Sequence, residues 1–126
     1  MNPRSPQVTQ LRTLRDAWQR SGWTPGRQIP THMVRAMLIG ADFRAWPAAL
    51  EILAEFGGLT IVLPKRTIDF DLAFWLPETR GEHLEDWCPV GRTSRGDWVQ
   101  VDMDGRILCA GENYESMQAY WLTLVK

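Results

Sequence analysis

Apolar positions along the chain change period from one stretch to the next, and the period sets the elements. Val8, Leu11, Leu14 and Trp18 recur at helical spacing, with Arg12, Arg15, Asp16 and Arg20 largely off that stripe. The spacing predicts an amphipathic helix of about four turns. Ser5 and Pro6 supply an N-cap and a helix-compatible first residue, residues 1–7 form a frayed lead-in, and Gly22 is a natural stop. Trp23-Thr24-Pro25-Gly26-Arg27 then reads as a tight turn with the Trp packed inward, because Pro presets φ and Gly tolerates positive φ. Thr31 is placed to cap a short second helix through Met33, Val34, Met37 and Leu38, ended by Gly40. A third begins at Trp46-Pro47, carries the stripe Ala49, Ile52, Leu53 and Phe56, and ends at Gly57-Gly58.

After Gly58 the period falls to two. Leu59 to Pro64 is a short run rich in β-branched residues and predicts a well-buried strand. Ile68, Phe70, Leu72 and Phe74 alternate with Asp69, Asp71 and Ala73, which predicts a half-buried strand with acids on its outer face. Lys65-Arg66-Thr67 is the connecting turn, so the two strands are expected as antiparallel neighbours. Leu76 to Asp86 reads as a loop or one short helical turn, Cys88-Pro89-Val90-Gly91 as an apolar return to the core, and Arg92 to Gly96 as an exposed turn.

Trp98 to Ala110 carries the strongest local signal, an Asp104-Gly105 pair between apolar arms, which predicts a β-hairpin. Val99, Val101 and Met103 share one face of the first arm, and Trp98, Gln100 and Asp102 the other. A two-residue turn sets Leu108 and Ala110 beside the valines, whereas a three-residue turn with Gly105 as a bulge sets Ile107 and Cys109 there, and both registers stay open. Gly111 to Asn113 lead into a closing helix from Tyr114 to Lys126, with Met117, Tyr120, Trp121 and Leu124 at helical spacing. Helices and strands therefore segregate, which implies an α+β domain: an antiparallel-rich sheet meander packed against N-terminal helices and a C-terminal helix.

At 126 residues and 44% hydrophobic content the chain has the size of one domain, 1–126, with a core that needs no metal or disulfide staple. Seven Trp are expected mainly in that core, where each ring buries roughly 150 to 250 Å². Two cysteines and no opening signal segment suggest a cytoplasmic protein with reduced thiols. No apolar run approaches the roughly 18 residues that span a bilayer. Net charge is −1, yet residues 1–63 hold seven basic and four acidic groups against seven and eleven in residues 64–126. The acidic second half suits a basic partner and is the reverse of what a nucleic-acid binder needs.

Chemistry is scarce. The only imidazoles are His32 and His83, so Cys88 with His83 is the one nucleophile and base to consider, and Cys88 precedes a proline in an apolar run, the setting of an inert thiol. The cysteines and histidines form no zinc pattern, and Gly57-Gly58 follows a helix and precedes a strand, the reverse of a phosphate loop. Neither catalytic residues nor a metal or other cofactor is expected.

Four motifs in order, Gly22-Trp23-Thr24-Pro25-Gly26-Arg27, Phe56-Gly57-Gly58-Leu59, Cys88-Pro89-Val90-Gly91 and Val101-Asp102-Met103-Asp104-Gly105-Arg106-Ile107, resemble the SUKH superfamily, most closely its third subfamily. The resemblance spans about residues 11–124. It implies structural roles for the glycines, Trp23, Pro25, Arg27, Phe56, Leu59, Pro89 and Asp102, no catalytic residues, and an immunity protein that binds and neutralises a secreted bacterial toxin domain, often a nuclease or other nucleic-acid-modifying enzyme. The alternative is a scaffold or regulatory binding module of the same fold. If a sheet face is left open, its outward residues Asp69, Asp71, Trp98, Gln100 and Asp102, with Glu82, Glu85 and Asp86 beside them, are the candidate partner-binding surface. Trp98 covered by the 76–86 loop is the competing reading.

Overall fold

A computed structural model describes residues 6–76 and 86–125. Among these residues the chain forms helices α1 (Pro6–Arg20), α2 (His32–Gly40) and α3 (Pro47–Phe56), strands β1 (Thr60–Val62) and β2 (Thr67–Asp69), and a short α4 (Leu72–Trp75). Strands β3 (Cys88–Thr93), β4 (Trp98–Val101), β5 (Ile107–Cys109) and β6 (Glu112–Tyr114) follow, and α5 (Met117–Thr123) comes last. All six strands lie in one antiparallel sheet whose spatial order is the chain order. The fold is α+β, as the segregated pattern implied.

One face of the sheet is largely apolar. Ile61 pairs with Ile68 and Val101 with Ile107, all four fully buried, as is Val99 opposite Gly91. Leu14 and Ala17 of α1, Leu53 and Phe56 of α3, and Tyr120 and Trp121 of α5 belong to the same core. Aromatic rings knit it together: Trp18 lies 5.3 Å from Trp23, 5.1 Å from Phe56 and 5.5 Å from Trp121, while Phe56 stacks on Phe70 at 5.4 Å. Tilted and offset contacts of this kind add to what burial alone contributes.

Several expectations are corrected by packing. The strand expected to run from Ile68 to Phe74 stops at Asp69, because the Asp71 amide donates to Asp69 Oδ1 at 2.8 Å and turns the chain. Leu72 and Trp75, three apart, then face the core as one helical turn, which leaves Phe74 75% exposed. The Leu59–Leu63 run, expected to be well buried, is an edge strand buried on one side, since Ile61 is inside while Thr60 and Val62 face out. α1 docks through its C-terminal half: Leu14 is buried, but Val8 and Leu11 are exposed, as is Met33 on α2. Thr31 sits at the α2 N-cap position without a side-chain capping bond. Arg92 and Thr93 extend β3 instead of opening a turn; the buried Thr93 hydroxyl accepts from the Arg95 and Asp97 amides and shapes the turn that follows.

The hairpin takes the longer register. Val101 pairs with Ile107, the Gly105 amide donates to the Asp102 carbonyl, and Gly105 has φ +85°, so Ile107 and Cys109 join the valines. That is a turn followed by a bulge, in which only a residue tolerant of positive φ fits. Met103 falls in the loop and is exposed, not on the valine face. Residues 112–114, expected as a lead-in and the start of the closing helix, form β6 instead: Ala110 (φ +53°) and Gly111 (φ +80°) make a two-residue turn that returns Glu112 against Cys109. α5 consequently starts only after Ser116, whose hydroxyl accepts the Ala119 amide at 3.1 Å.

Candidate protein-binding surface

The family-like motifs are consumed inside the fold. Gly22 (φ +107°) and Gly26 (φ +79°) bend the Trp23–Arg27 segment back over the end of α3. There Trp23 Nε1 donates to Glu55 Oε2 at 3.0 Å, and the Arg27 guanidinium donates to the carbonyls of Glu55 and Gly57. Those carbonyls are the orphan acceptors of a helix end, so one cation satisfies two of them at once. Gly57 is buried, and a Cβ there would sit 2.4 Å from the Leu53 carbonyl oxygen; Gly58 supplies the positive φ (+80°) that carries the chain into β1. Leu59 is half-buried against the core, and its carbonyl accepts the Phe70 amide. Pro89 and Gly91 flank a β-bulge, where Gly91 lets Ile68 and Phe70 approach to the point that a Cβ would meet Ile68 at 3.0 Å.

A model of the SUKH-3 immunity protein family matches residues 12–120. The chain belongs to that family. Searches of curated proteins and of solved structures returned no match. Membership supports a toxin-immunity role with a protein partner. No described helix of this SUKH-3 chain is long and apolar enough to cross a membrane.

The outward residues of the SUKH-3 sheet divide into distinct environments. Asp69 and Asp71 are both half-buried, but Asp69 lines a groove of about 490 Å³ with Thr60, Thr67, Phe74 and Arg92, among others, whereas Asp71 lines a separate one beside Met33 and Leu72. Asp69 Oδ1 holds the Asp71 amide, and the Asp69 carbonyl accepts Trp75 Nε1 at 3.1 Å. Trp98 is half-buried, with Phe43 at 5.7 Å and Trp75 at 5.9 Å packed against it; most of the 76–86 loop lies outside the described residues. Gln100 is half-buried, with Oε1 inaccessible and lacking a hydrogen-bond partner among the described residues. Asp102 Oδ1 accepts the Asp104 and Arg106 amides, each at 2.9 Å, so this carboxylate shapes the hairpin turn. Asp86 is exposed, and its carbonyl accepts Trp46 Nε1. Glu82 and Glu85 lie outside the described residues.

Phe74 was missed by the sequence reading, because period two placed it inside a strand. The competing i, i+3 pair Leu72 and Trp75 was the signal that could have turned it outward.

Cys88 is fully buried, and burial pushes its thiol from an ordinary 9.0 up to about 12. It is therefore protonated at neutral pH, which suits packing and not nucleophilic attack. His83, its only conceivable base, lies outside the described residues, and His32 is exposed. Among the described residues no cluster of three or more His, Cys, Asp or Glu side chains could hold a metal ion.

Proposed function

We propose that this SUKH-3 chain is the immunity partner of a secreted bacterial toxin domain, a nuclease or other nucleic-acid-modifying enzyme, which it inhibits stoichiometrically by covering its active surface. The observation that carries the reading is the family match over residues 12–120. The site we assign is the open part of the sheet face around Asp69 and Asp71, with Phe74 as an aromatic anchor beside them and Asp86, Trp98, Gln100 and Asp102 towards the hairpin. Glu82 and Glu85 are assigned to it from sequence alone. A large exposed ring beside carboxylates supports this assignment, since aromatic anchors supply binding energy and charges steer encounter with a basic cleft. Inhibition of this kind needs no catalytic group in the inhibitor.

The test is co-expression in a bacterial host with the C-terminal toxin domain of a secreted protein encoded directly upstream. The intact chain should restore growth. Asp71→Lys, which keeps the bond from the Asp71 amide to Asp69 Oδ1, should slow association and weaken its salt dependence; adding Asp69→Lys should do so more strongly while also losing that turn bond and some stability, read separately as a fall in melting temperature. Capture of the toxin domain without protection would favour the scaffold reading, and absence of both capture and protection would overturn the proposal.

A further inference from the structure

In this meander the β1–β2, β3–β4 and β5–β6 turns all fall at the same end of the sheet, because alternate connections of an antiparallel sheet share an edge. That end is cationic. Lys65 and Arg66 come from the first turn, Arg95 from the second, and they line a pocket of about 340 Å³ with Cys109, Glu112 and Tyr114. Lys65 and Arg95 are exposed. Arg66 is half-buried, and its charge acts on Tyr120, whose hydroxyl donates to Cys109 Sγ at 3.4 Å. Arg66 Nε is inaccessible and has no hydrogen-bond partner among the described residues.

The carboxylates nearby do not neutralise the pocket. Glu112, whose Oε2 accepts the Tyr114 hydroxyl at 3.0 Å, and Asp97, whose charge acts on Cys109, are two acids against three cations, which leaves an excess of positive charge. Guanidinium groups present a planar fork that matches a carboxylate, and a half-buried one such as Arg66 loses less freedom when it binds.

We infer that the pocket between Lys65, Arg66 and Arg95 receives a carboxylate side chain from an acidic segment of a protein partner, which makes the docking surface bipolar: acids on the sheet face at Asp69 and Asp71, cations around the end of the sheet. Arg95 lines both this pocket and the groove that holds Asp69, so the two regions are continuous. A nucleic acid is disfavoured as occupant, since affinity for phosphates needs a basic stripe and the chain carries a net charge of −1. The inference rests on the reading of this chain as a protein-binding immunity module.

The probe is a hexa-glutamate peptide, titrated by calorimetry at two salt concentrations against the intact chain, with hexa-glutamine and a six-nucleotide single-stranded DNA as comparisons. Hexa-glutamate should bind in a salt-sensitive manner and hexa-glutamine should not. Arg95→Ala, an exposed change that leaves the fold untouched, and Lys65→Ala should each weaken binding several-fold, and together about tenfold. Arg66→Ala should act in the same direction in whatever fraction remains folded. Arg12→Ala on α1 should change nothing. Absence of hexa-glutamate binding, equal weakening by Arg12→Ala, or tighter binding of the DNA would overturn the inference. A chain that protects against its toxin while Lys65→Ala with Arg95→Ala leaves toxin affinity unchanged would overturn the pocket assignment alone; a chain that binds hexa-glutamate yet protects against nothing would overturn the immunity reading.

Discussion

The corner where Trp23 and Arg27 grip the end of α3 and the turn end where Lys65, Arg66 and Arg95 meet are both built from loops carrying arginine, and they use it in opposite ways. At the corner the Arg27 fork is saturated by backbone carbonyls from α3, and Trp23 Nε1 is saturated by Glu55. At the turn end Lys65 and Arg95 stand in solvent beside the half-buried Arg66, whose inaccessible Nε takes no part in an outside contact. A loop that satisfies its own polar groups fixes the fold; a loop that leaves donors over can spend them on another molecule. The motif residues at the corner are thus architectural.

Three perturbations sharpen that contrast. The largest effect belongs to Gly57→Val, where a Cβ would collide with the Leu53 carbonyl at 2.4 Å and crowd Ile29 at 3.2 Å. Overpacking against backbone should cost about 3 kcal/mol, visible as a large fall in chemical-denaturation midpoint at unchanged slope. Unchanged stability would mean that the corner is looser than its contacts suggest.

Arg27→Ala comes next, at about 2 kcal/mol, since it strands two helix-end carbonyls that a charged donor had satisfied. Arg27→Lys should recover only part of this, because an ammonium lacks the fork. Full recovery with Lys would reduce the corner to simple charge pairing.

The smallest effect is on pH dependence and falls at the turn end. Burial, first of all, raises the pKa values of Cys109 and Tyr120 above their ordinary 9.0 and 10.0. Groups whose native value is raised stabilise the fold fully below the ordinary value and lose that contribution as pH climbs through the native one. Alkaline solution above about pH 9 should therefore loosen β5 and α5 before the corner, read as earlier loss of amide-exchange protection at Ile107 and Tyr120 than at Leu53. Cys109→Ala should flatten the response, and loss of protection at Leu53 first would reverse the ordering.

How far the sequence foretold this molecule depended on whether a residue's fate was local. Pro47 starting a helix and Gly58 turning one into a strand are decided by neighbouring backbone, and both were readable. The hairpin register was not, because Asp104-Gly105 suits a two-residue or a bulged loop and only the burial of Ile107 and Cys109 selects between them. Phe74 was hidden by a stretch that satisfies period two and a single helical turn equally well, with the Asp69 hydrogen bond to Asp71 breaking the tie. At the turn end, Lys65 and Arg95 lie thirty residues apart and read simply as turn cations until the topology brings their loops together. Local propensity cannot see such a convergence.

The coincidence of strand order with chain order has a kinetic meaning. Four of the five ladders close over short turns, so most of the sheet can zip from hairpin to neighbouring hairpin with little loop entropy to overcome. The packing of α1 against α5, where Trp18 meets Trp121, joins segments about a hundred residues apart and cannot precede the surface it rests on. That helix pair is then expected to dock late, and contacts absent from the transition state govern how long a folded molecule persists. Trp18→Leu or Trp121→Leu should accordingly speed unfolding more than it slows refolding.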